Sequence, residues 1–310
     1  MEASVNPSRN QHTLAVSCEV HGQGYWTGKY VRVAIHPASP NTGIRFVRTD
    51  LEEPNQCDAS VEFREEASLR TNLQNGKVHL QMVEHLMSAL SALEIDNCII
   101  EIDGEELPAL DGSSLGYAKA LSEAGLIIQA AEKRRLVIQE TIRIERGSSW
   151  VHVSPALHGE TYFEYRLSFD DATPIDSQTF GINLTPDRFL REVASARTFV
   201  TADQAAEIRS QGIAGHVTNQ DLLVIGENGP IENSYRFTDE CARHKTLDLI
   251  GDLALSGVEF IGRVISYRGG HILNGQVAER LCEMAREQQT IDIERFSNTH
   301  QYVTNLRKVM

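Results

Sequence analysis

The stretch Arg243-His244-Lys245-Thr246-Leu247-Asp248-Leu249-Ile250-Gly251-Asp252 constrains this chain more than any other. Leu247, Ile250, Leu253 and Leu255 recur at helical spacing, so Glu240–Leu255 reads as a helix. His244 and Asp248 then stand one turn apart on one face, with Asp252 a turn further on and Lys245 beside them. An imidazole and a carboxylate at i, i+4 form a two-ligand clip for Zn²⁺, which takes nitrogen and oxygen ligands. A catalytic zinc usually has three protein ligands and an open position, so the rest of the chain must supply a third ligand, a base and an acid. Taken alone, the clip also reads as a solvated helix face carrying an i, i+4 pair.

Three further pieces carry chemistry. In Val83-Glu84-His85-Leu86, the helix Met82–Leu93 has an apolar stripe through Met82, Leu86, Ala89, Leu90 and Leu93, which turns His85 toward a flank. Glu84 and His85 can reach the same cavity from a helix start, one as base and the other as ligand. The plainer reading of Glu84 is a solvated carboxylate favoured by the helix dipole. In Arg268-Gly269-Gly270-His271, two glycines let the backbone approach a ligand and place an imidazole in a loop. Alone, this is a surface turn with an incidental histidine. Ser195-Ala196-Arg197-Thr198-Phe199 offers the Thr198 hydroxyl to a developing oxyanion, and by itself is unspecific.

The chain is long enough for two domains. Residues 1–12 read as a tail, followed by strands at Thr13–Val20, Tyr30–Ile35, Ile44–Val47 and Cys98–Ile102, with a turn at His21–Gly24. A helix spans Leu115–Ala124, with Ser113 or Ser114 as its N-cap. The charged stretch Ala130–Arg135 marks a boundary between residues 13–131 and 135–310. Strands follow at Val137–Glu145, Ser149–Val153, Tyr162–Phe169, Leu222–Ile225 and Val258–Tyr267. Between them lie a turn-rich loop at Asp170–Gln178, a loop or helix at Phe189–Ala196, and helices at Ala202–Gln211, Glu240–Leu255 and Asn274–Gln288. Each half runs strands, helix, strand, polar loop, closing helix, and His85 and His244 occupy corresponding helices. The expectation is an α+β fold of two similar two-layer helix/sheet domains with the site between them.

A net charge of −14 argues against a nucleic-acid binder and against broad adsorption to an anionic membrane, while allowing a local basic pocket for phosphate. The cysteines, at 18, 57, 98, 241 and 282, are odd in number and scattered, which fits reduced thiols in a cytoplasm. Cys241, three before His244, reads better as a small buried apolar residue than as a ligand. Met1–Asn10 lacks the apolar core of a signal peptide, and no run reaches the length of a membrane span. A cytoplasmic monomer is expected.

Together with Val83-Glu84-His85-Leu86-Met87-Ser88-Ala89-Leu90 and Leu107-Pro108-Ala109-Leu110-Asp111-Gly112-Ser113-Ser114, the segments Ser195–Phe199, Arg243–Asp252 and Gly270-His271-Ile272-Leu273-Asn274 resemble the zinc-dependent UDP-3-O-acyl-N-acetylglucosamine deacetylases of lipid A biosynthesis. The likeness runs in order from about Ser17 to Leu281. It implies that His85, His244 and Asp248 bind Zn²⁺, that Glu84 is the general base, and that His271 is the acid or cationic stabiliser, oriented by Asp252. It further implies Thr198 as the oxyanion hydroxyl, Lys245 as a cation near the substrate's diphosphate, and Phe199 as a substrate contact. The implied substrate is an acylated UDP-sugar. Two segments depart from the family pattern: Val200-Thr201 stands where a glycine and an aromatic are common, and Gly215–Asp221 replaces a Gly-Gly-Ser segment. Both neighbour the family's acyl passage. Two other readings compete: a zinc amidohydrolase for another N-acetylated sugar nucleotide, and a non-catalytic zinc-stabilised binding module.

Overall fold

Alternating burial along the strands builds the sheets of this protein, a computed structural model that describes residues 8–67, 69–169 and 173–288. The first half comprises β1 (Ser8–Leu14), β2 (Cys18–Gln23), β3 (Tyr30–Pro37), β4 (Ile44–Arg48), β5 (Gln56–Asp58), β6 (Arg64–Glu65), β7 (Asn72–Asn75), β8 (Val78–Gln81), α1 (Glu84–Ala92), β9 (Cys98–Ile102) and α2 (Leu115–Ala124). The second comprises β10 (Leu126–Val137), β11 (Ile142–Arg146), β12 (Ser149–Ser154), β13 (Thr161–Leu167), β14 (Gln178–Asn183), α3 (Pro186–Glu192), β15 (Phe199–Thr201), α4 (Ala202–Ser210), β16 (Leu223–Gly226), β17 (Gly229–Pro230), α5 (Glu240–Ala254) and β18 (Glu259–Tyr267). A last helix, α6, covers 271–288.

The two main sheets share one strand order. In the first, β9 lies between β3 and β4 in the order β2-β3-β9-β4-β5, antiparallel to β3 and parallel to β4. In the second, β18 lies between β12 and β13, antiparallel to the former and parallel to the latter, with β11 and β14 outside them. The likeness between the halves read from the order of motifs therefore reappears as a topology. On this shared order we propose that the chain divides into units 13–131 and 135–310.

Helices α1 and α5 pack against each other, with α5 in turn on β13 and β14. A continuous core spans both halves, from Val33 and Ile100 through Leu86 and Leu249 to Val264. This sandwiching changes the expected character of α1: it has no solvated flank, because Glu84 to Leu90 are all buried. A helix pressed from several sides loses its amphipathic stripe.

Several local expectations differ from the structure. β1 starts at Ser8, inside the expected tail, because it pairs antiparallel with β10. His21–Gln23 is not a turn; its backbone groups pair with Tyr30–Arg32 in a β2/β3 ladder, and the chain reverses after it. The charged stretch Ala130–Arg135 lies within β10, which pairs with β1 and then continues beside β18. Its polarity reflects a solvated two-stranded ribbon, exposed on alternate residues. The segment Val137–Glu145 splits between the end of β10 and β11. The expected loop at Asp170–Gln178 lies partly outside the described residues. No described helix is long and apolar enough to cross a membrane.

The α1–α5 contact is closest at Gly251, where an added β-carbon would come 2.1 Å from the Glu84 carbonyl oxygen. Both atoms sit on buried backbone, so neither can yield cheaply. Gly251→Ala is expected to destabilise the fold by about 1–3 kcal/mol through overpacking, measurable as a lower midpoint in denaturant unfolding; an unchanged midpoint would show that the helices can separate freely.

Candidate active site

Each polar residue singled out on α5 faces inward. His244, Asp248 and Asp252 are buried on successive turns, and α1 delivers Glu84 and His85 against them. One potential ligand atom from each of His85, His244 and Asp248 lies within 4.8 Å of the others. The His85 and His244 Nε2 atoms approach Asp248 Oδ1 to 3.6 and 3.4 Å. Their rings meet edge-on, with centroids 5.1 Å apart.

These residues fit a metal ion. Asp248 Oδ1 is buried and has no hydrogen-bond partner among the described residues, a costly state for a carboxylate oxygen that a cation relieves. His244 Nδ1 donates to the Ala196 carbonyl at 3.2 Å, which leaves the Nε2 lone pair toward the cluster. Burial pushes the His244 imidazole down to about 3, against the pull of Asp248, so the ring is neutral as a ligand must be. Burial also works to raise Asp248, but its ionic partners outweigh it, and with His244 neutral it is the Lys245 ammonium that holds the carboxyl well below its ordinary range. Two nitrogens and one carboxylate oxygen match zinc's donor preference.

Glu84 is 1% exposed, so it is not a solvated helix-start carboxylate. Burial raises its pKa, against the opposing influence of His271 and His85. The backbone N–H of Thr71 donates to its Oε2 at 3.0 Å. A buried carboxylate held by an amide, next to a cluster that could hold a metal, can accept a proton.

His271 opens α6 rather than lying in a loop, and its Nδ1 donates to Asp252 Oδ2 at 2.9 Å. Burial works against its charge, yet Asp252 holds the imidazolium up to about 9. Asp252 also accepts from Asn274 Nδ2 at 2.8 Å and from the Thr71 hydroxyl. Lys245 donates to Asp248 Oδ2 at 2.6 Å while lining the adjoining cavity.

Thr198 is set from both halves. Its N–H donates to the Gly112 carbonyl at 2.7 Å, and its own carbonyl accepts from Leu223. Gly112 has φ of +80°, and a β-carbon there would meet the Tyr25 hydroxyl at 2.5 Å, so both conformation and space call for glycine. Arg197 turns the other way into a buried ion pair, its Nε donating to Glu240 Oε1 at 2.8 Å. Phe199 meets the His244 ring edge-on at 6.2 Å. Ser114 does not cap α2 with its side chain; its hydroxyl donates to the His85 carbonyl at 2.7 Å and steadies the ligand's backbone. Cys241 stays out of the cluster as a buried thiol, pushed up to about 12 chiefly by burial.

A cavity of about 630 Å³ opens onto these groups. Glu84, His85, His244, Asp248 and His271 line its polar end together with Thr198. Val200, Ala205, Ile208, Ile213, Val217 and Leu222 line an apolar part, drawn from β15, α4 and the segment after it. Sequence reasoning missed three contributors. Thr71 sits in a stretch without periodicity, and nothing local marks it. Asn274 lies inside a quoted motif but had no role, and the Arg197–Glu240 pair spans 43 residues, a separation no local pattern reports.

Residues 11–283 match the family model described as UDP-3-O-acyl N-acetylglycosamine deacetylase. Proteins named UDP-3-O-acyl-N-acetylglucosamine deacetylase from Brucella ovis, Brucella suis and Brucella abortus are each 37% identical over 273 residues, covering 87% of this chain and 94% of theirs. With the model spanning most of the sequence and the relatives aligned almost end to end, the chain belongs to the UDP-3-O-acyl N-acetylglycosamine deacetylase family.

Proposed function

We propose that this protein hydrolyses the N-acetyl group of a UDP-3-O-acyl-N-acetylglucosamine in lipid A biosynthesis, releasing acetate and the free 2-amino sugar nucleotide, with Zn²⁺ held by His85, His244 and Asp248. The observation that carries the reading is a buried two-histidine, one-carboxylate cluster flanked by Glu84 and His271 at the polar end of a largely apolar cavity. When bound, zinc supplies a Lewis acid for the amide carbonyl and acidifies water.

The chain's own groups then divide the proton work. Glu84 accepts a proton from the water that attacks the amide carbon. The Thr198 hydroxyl donates to the oxygen on which negative charge develops, a contact of a kind worth about 3 kcal/mol. His271, kept cationic by Asp252, stabilises that charge and gives a proton to the nitrogen as the C–N bond breaks. Two like carboxylates, Glu84 and Asp252, thus serve opposite ends: one is left free to take a proton, the other is spent on holding a cation.

Substrate recognition follows the cavity's polarity. The apolar lining after Phe199 suits the acyl chain, with Phe199 at the junction and Val200 and Val217 among the wall residues. This favours an acylated sugar over an unmodified one. Lys245, which lines the cavity while paired with Asp248, is our candidate cation for the diphosphate. All of these groups come from a single chain, so the proposed site needs no residue of a second copy. The five cysteines are free, as a reducing cytoplasm requires.

The direct test is acetate release from acylated and non-acylated UDP-N-acetylglucosamine, with and without a chelator; turnover that ignores both the acyl group and the chelator overturns the proposal. Glu84→Gln should retain zinc and lose at least ~100-fold in kcat, since a carboxamide cannot take the proton. Asp248→Ala should lower the zinc-to-protein ratio measured by elemental analysis; a full complement of metal removes Asp248 from the ligand set. The sign of the pH dependence follows from His271, whose cation persists below its ordinary value and is lost as pH rises through about 9. A dication in the cluster works against that charge, so the alkaline limb of kcat/KM is expected no higher than about 9. Asp252→Asn removes the carboxylate that raises His271 and should move this limb to lower pH.

A further inference from the structure

The acid side of the site meets the first half of the chain at the β6–β7 hairpin, and α6 is tied to that half again where Arg286 donates to Glu62 at 2.7 Å. Arg64 in β6 pairs in register with Leu73 in β7, and Thr71 immediately precedes β7. Thr71 touches both reacting groups: its N–H holds Glu84, and its hydroxyl donates to Asp252 and lies 3.2 Å from His271 Nδ1. Arg64 reaches from the same hairpin onto α6. Its side chain is only 5% exposed, and Nη2 donates to Glu279 Oε1 at 3.1 Å. Its Nε is buried and has no hydrogen-bond partner among the described residues.

The guanidinium lies on the α6 backbone at Gly275. A β-carbon built there would stand 2.2 Å from Arg64 Cζ and 2.3 Å from Nε, so the close approach exists only because residue 275 has no side chain. Gly275 follows Asn274, the residue whose amide holds Asp252, and lies one helical turn after His271. A planar cation resting on a glycine fixes both the height and the rotation of the helix start above it. Burying a guanidinium with one hydrogen bond to a half-exposed carboxylate is a poor way to stabilise a fold. That cost makes sense if the contact serves geometry.

We propose that Arg64 is a positioning residue for the reaction, acting through Gly275 to set His271 at its working distance from Glu84. The inference rests on the roles given to Glu84 and His271 above. Arg64 touches no reacting atom. The hairpin acts as a bracket: Thr71 holds the base and the carboxylate behind the acid, and Arg64 holds the helix that carries the acid. Losing Arg64 leaves the metal cluster on α1 and α5 intact but lets α6 shift, which misaligns proton delivery without changing where substrate binds.

The experiment compares Arg64→Met, Gly275→Ala and the double variant with the unchanged chain, each loaded with zinc and assayed on the acylated UDP-sugar. Each single substitution is expected to lower kcat about tenfold with KM within about twofold, as a small misplacement of a catalytic group does. Because both break one contact, the double variant should be no worse than the poorer single. Losses that multiply in the double variant, or that fall on KM, overturn the proposal. A second readout does not need turnover: in metal-free protein with isotope-labelled histidine, the His271 ring resonances should move in both single variants while those of His12 stay put. Unmoved His271 resonances sink the idea whatever the kinetics show. If the resonances move but the unchanged chain releases no acetate, the functional proposal fails and the positioning role stands. Arg64→Lys, which keeps the charge without the plane, serves where Arg64→Met does not fold, and an intermediate loss in kcat is expected from it.

Discussion

The site depends on how closely α5 can approach α1. Gly251 has no side chain, and the Glu84 carbonyl occupies the space a β-carbon would need. That contact sets the separation of two helices that between them carry the proposed base and all three candidate ligands. A larger residue at 251 would push α1 away by a side chain's thickness, and a cluster whose atoms lie within 4.8 Å of one another would open. The geometry of the chemistry is therefore a packing property, enforced by a core that is nearly incompressible.

Such packing gathers charges that would not be stable apart. Glu84, Asp248 and Asp252 are all buried, and so are His244 and His271. Burying a carboxylate is costly unless a partner or hydrogen bonds replace water. Here each carboxylate meets this differently: Asp252 accepts from His271, Asn274 and Thr71, while Asp248 has Lys245 on one oxygen and nothing but the neighbouring imidazoles near the other. Glu84 has a single amide, and its pKa rises. The ordering of the three acids, from well-partnered to poorly partnered, matches the ordering of the roles proposed for them, from holder of a cation to acceptor of a proton.

Much of this was legible in the residues, and the reason is local spacing. His244, Asp248 and Asp252 stand four apart, so any helix puts them on one face; α5 formed where the apolar periodicity required it. Glu84-His85 was visible at a helix start, while His271 after two glycines read as part of a loop and opens a helix instead. Local spacing failed where partners are remote or where burial overrides propensity. The flank expected on α1 vanished because a second helix covers it. The turn expected at His21–Gly24 became strand because β3 offered a ladder for its backbone groups. The charged stretch Ala130–Arg135 runs in a strand, which its composition does not announce, because β1 and β18 pair with it in succession.

By itself the sequence determined that His244, Asp248 and Asp252 share one face of a helix, because that relation is set by a helix's own 3.6-residue period. The likeness of the two halves was legible as motifs that recur in the same order along the chain, whereas the strand order they share came from the fold. Only the tertiary structure decided that the two faces meet, how near they come, and which residues hold them there. Thr71, Gly112, Gly251 and the Arg64–Gly275 contact act across long separations through a missing side chain, a backbone amide or a hydroxyl. Such roles depend on what stands opposite in space, and no periodicity within a single chain segment encodes that.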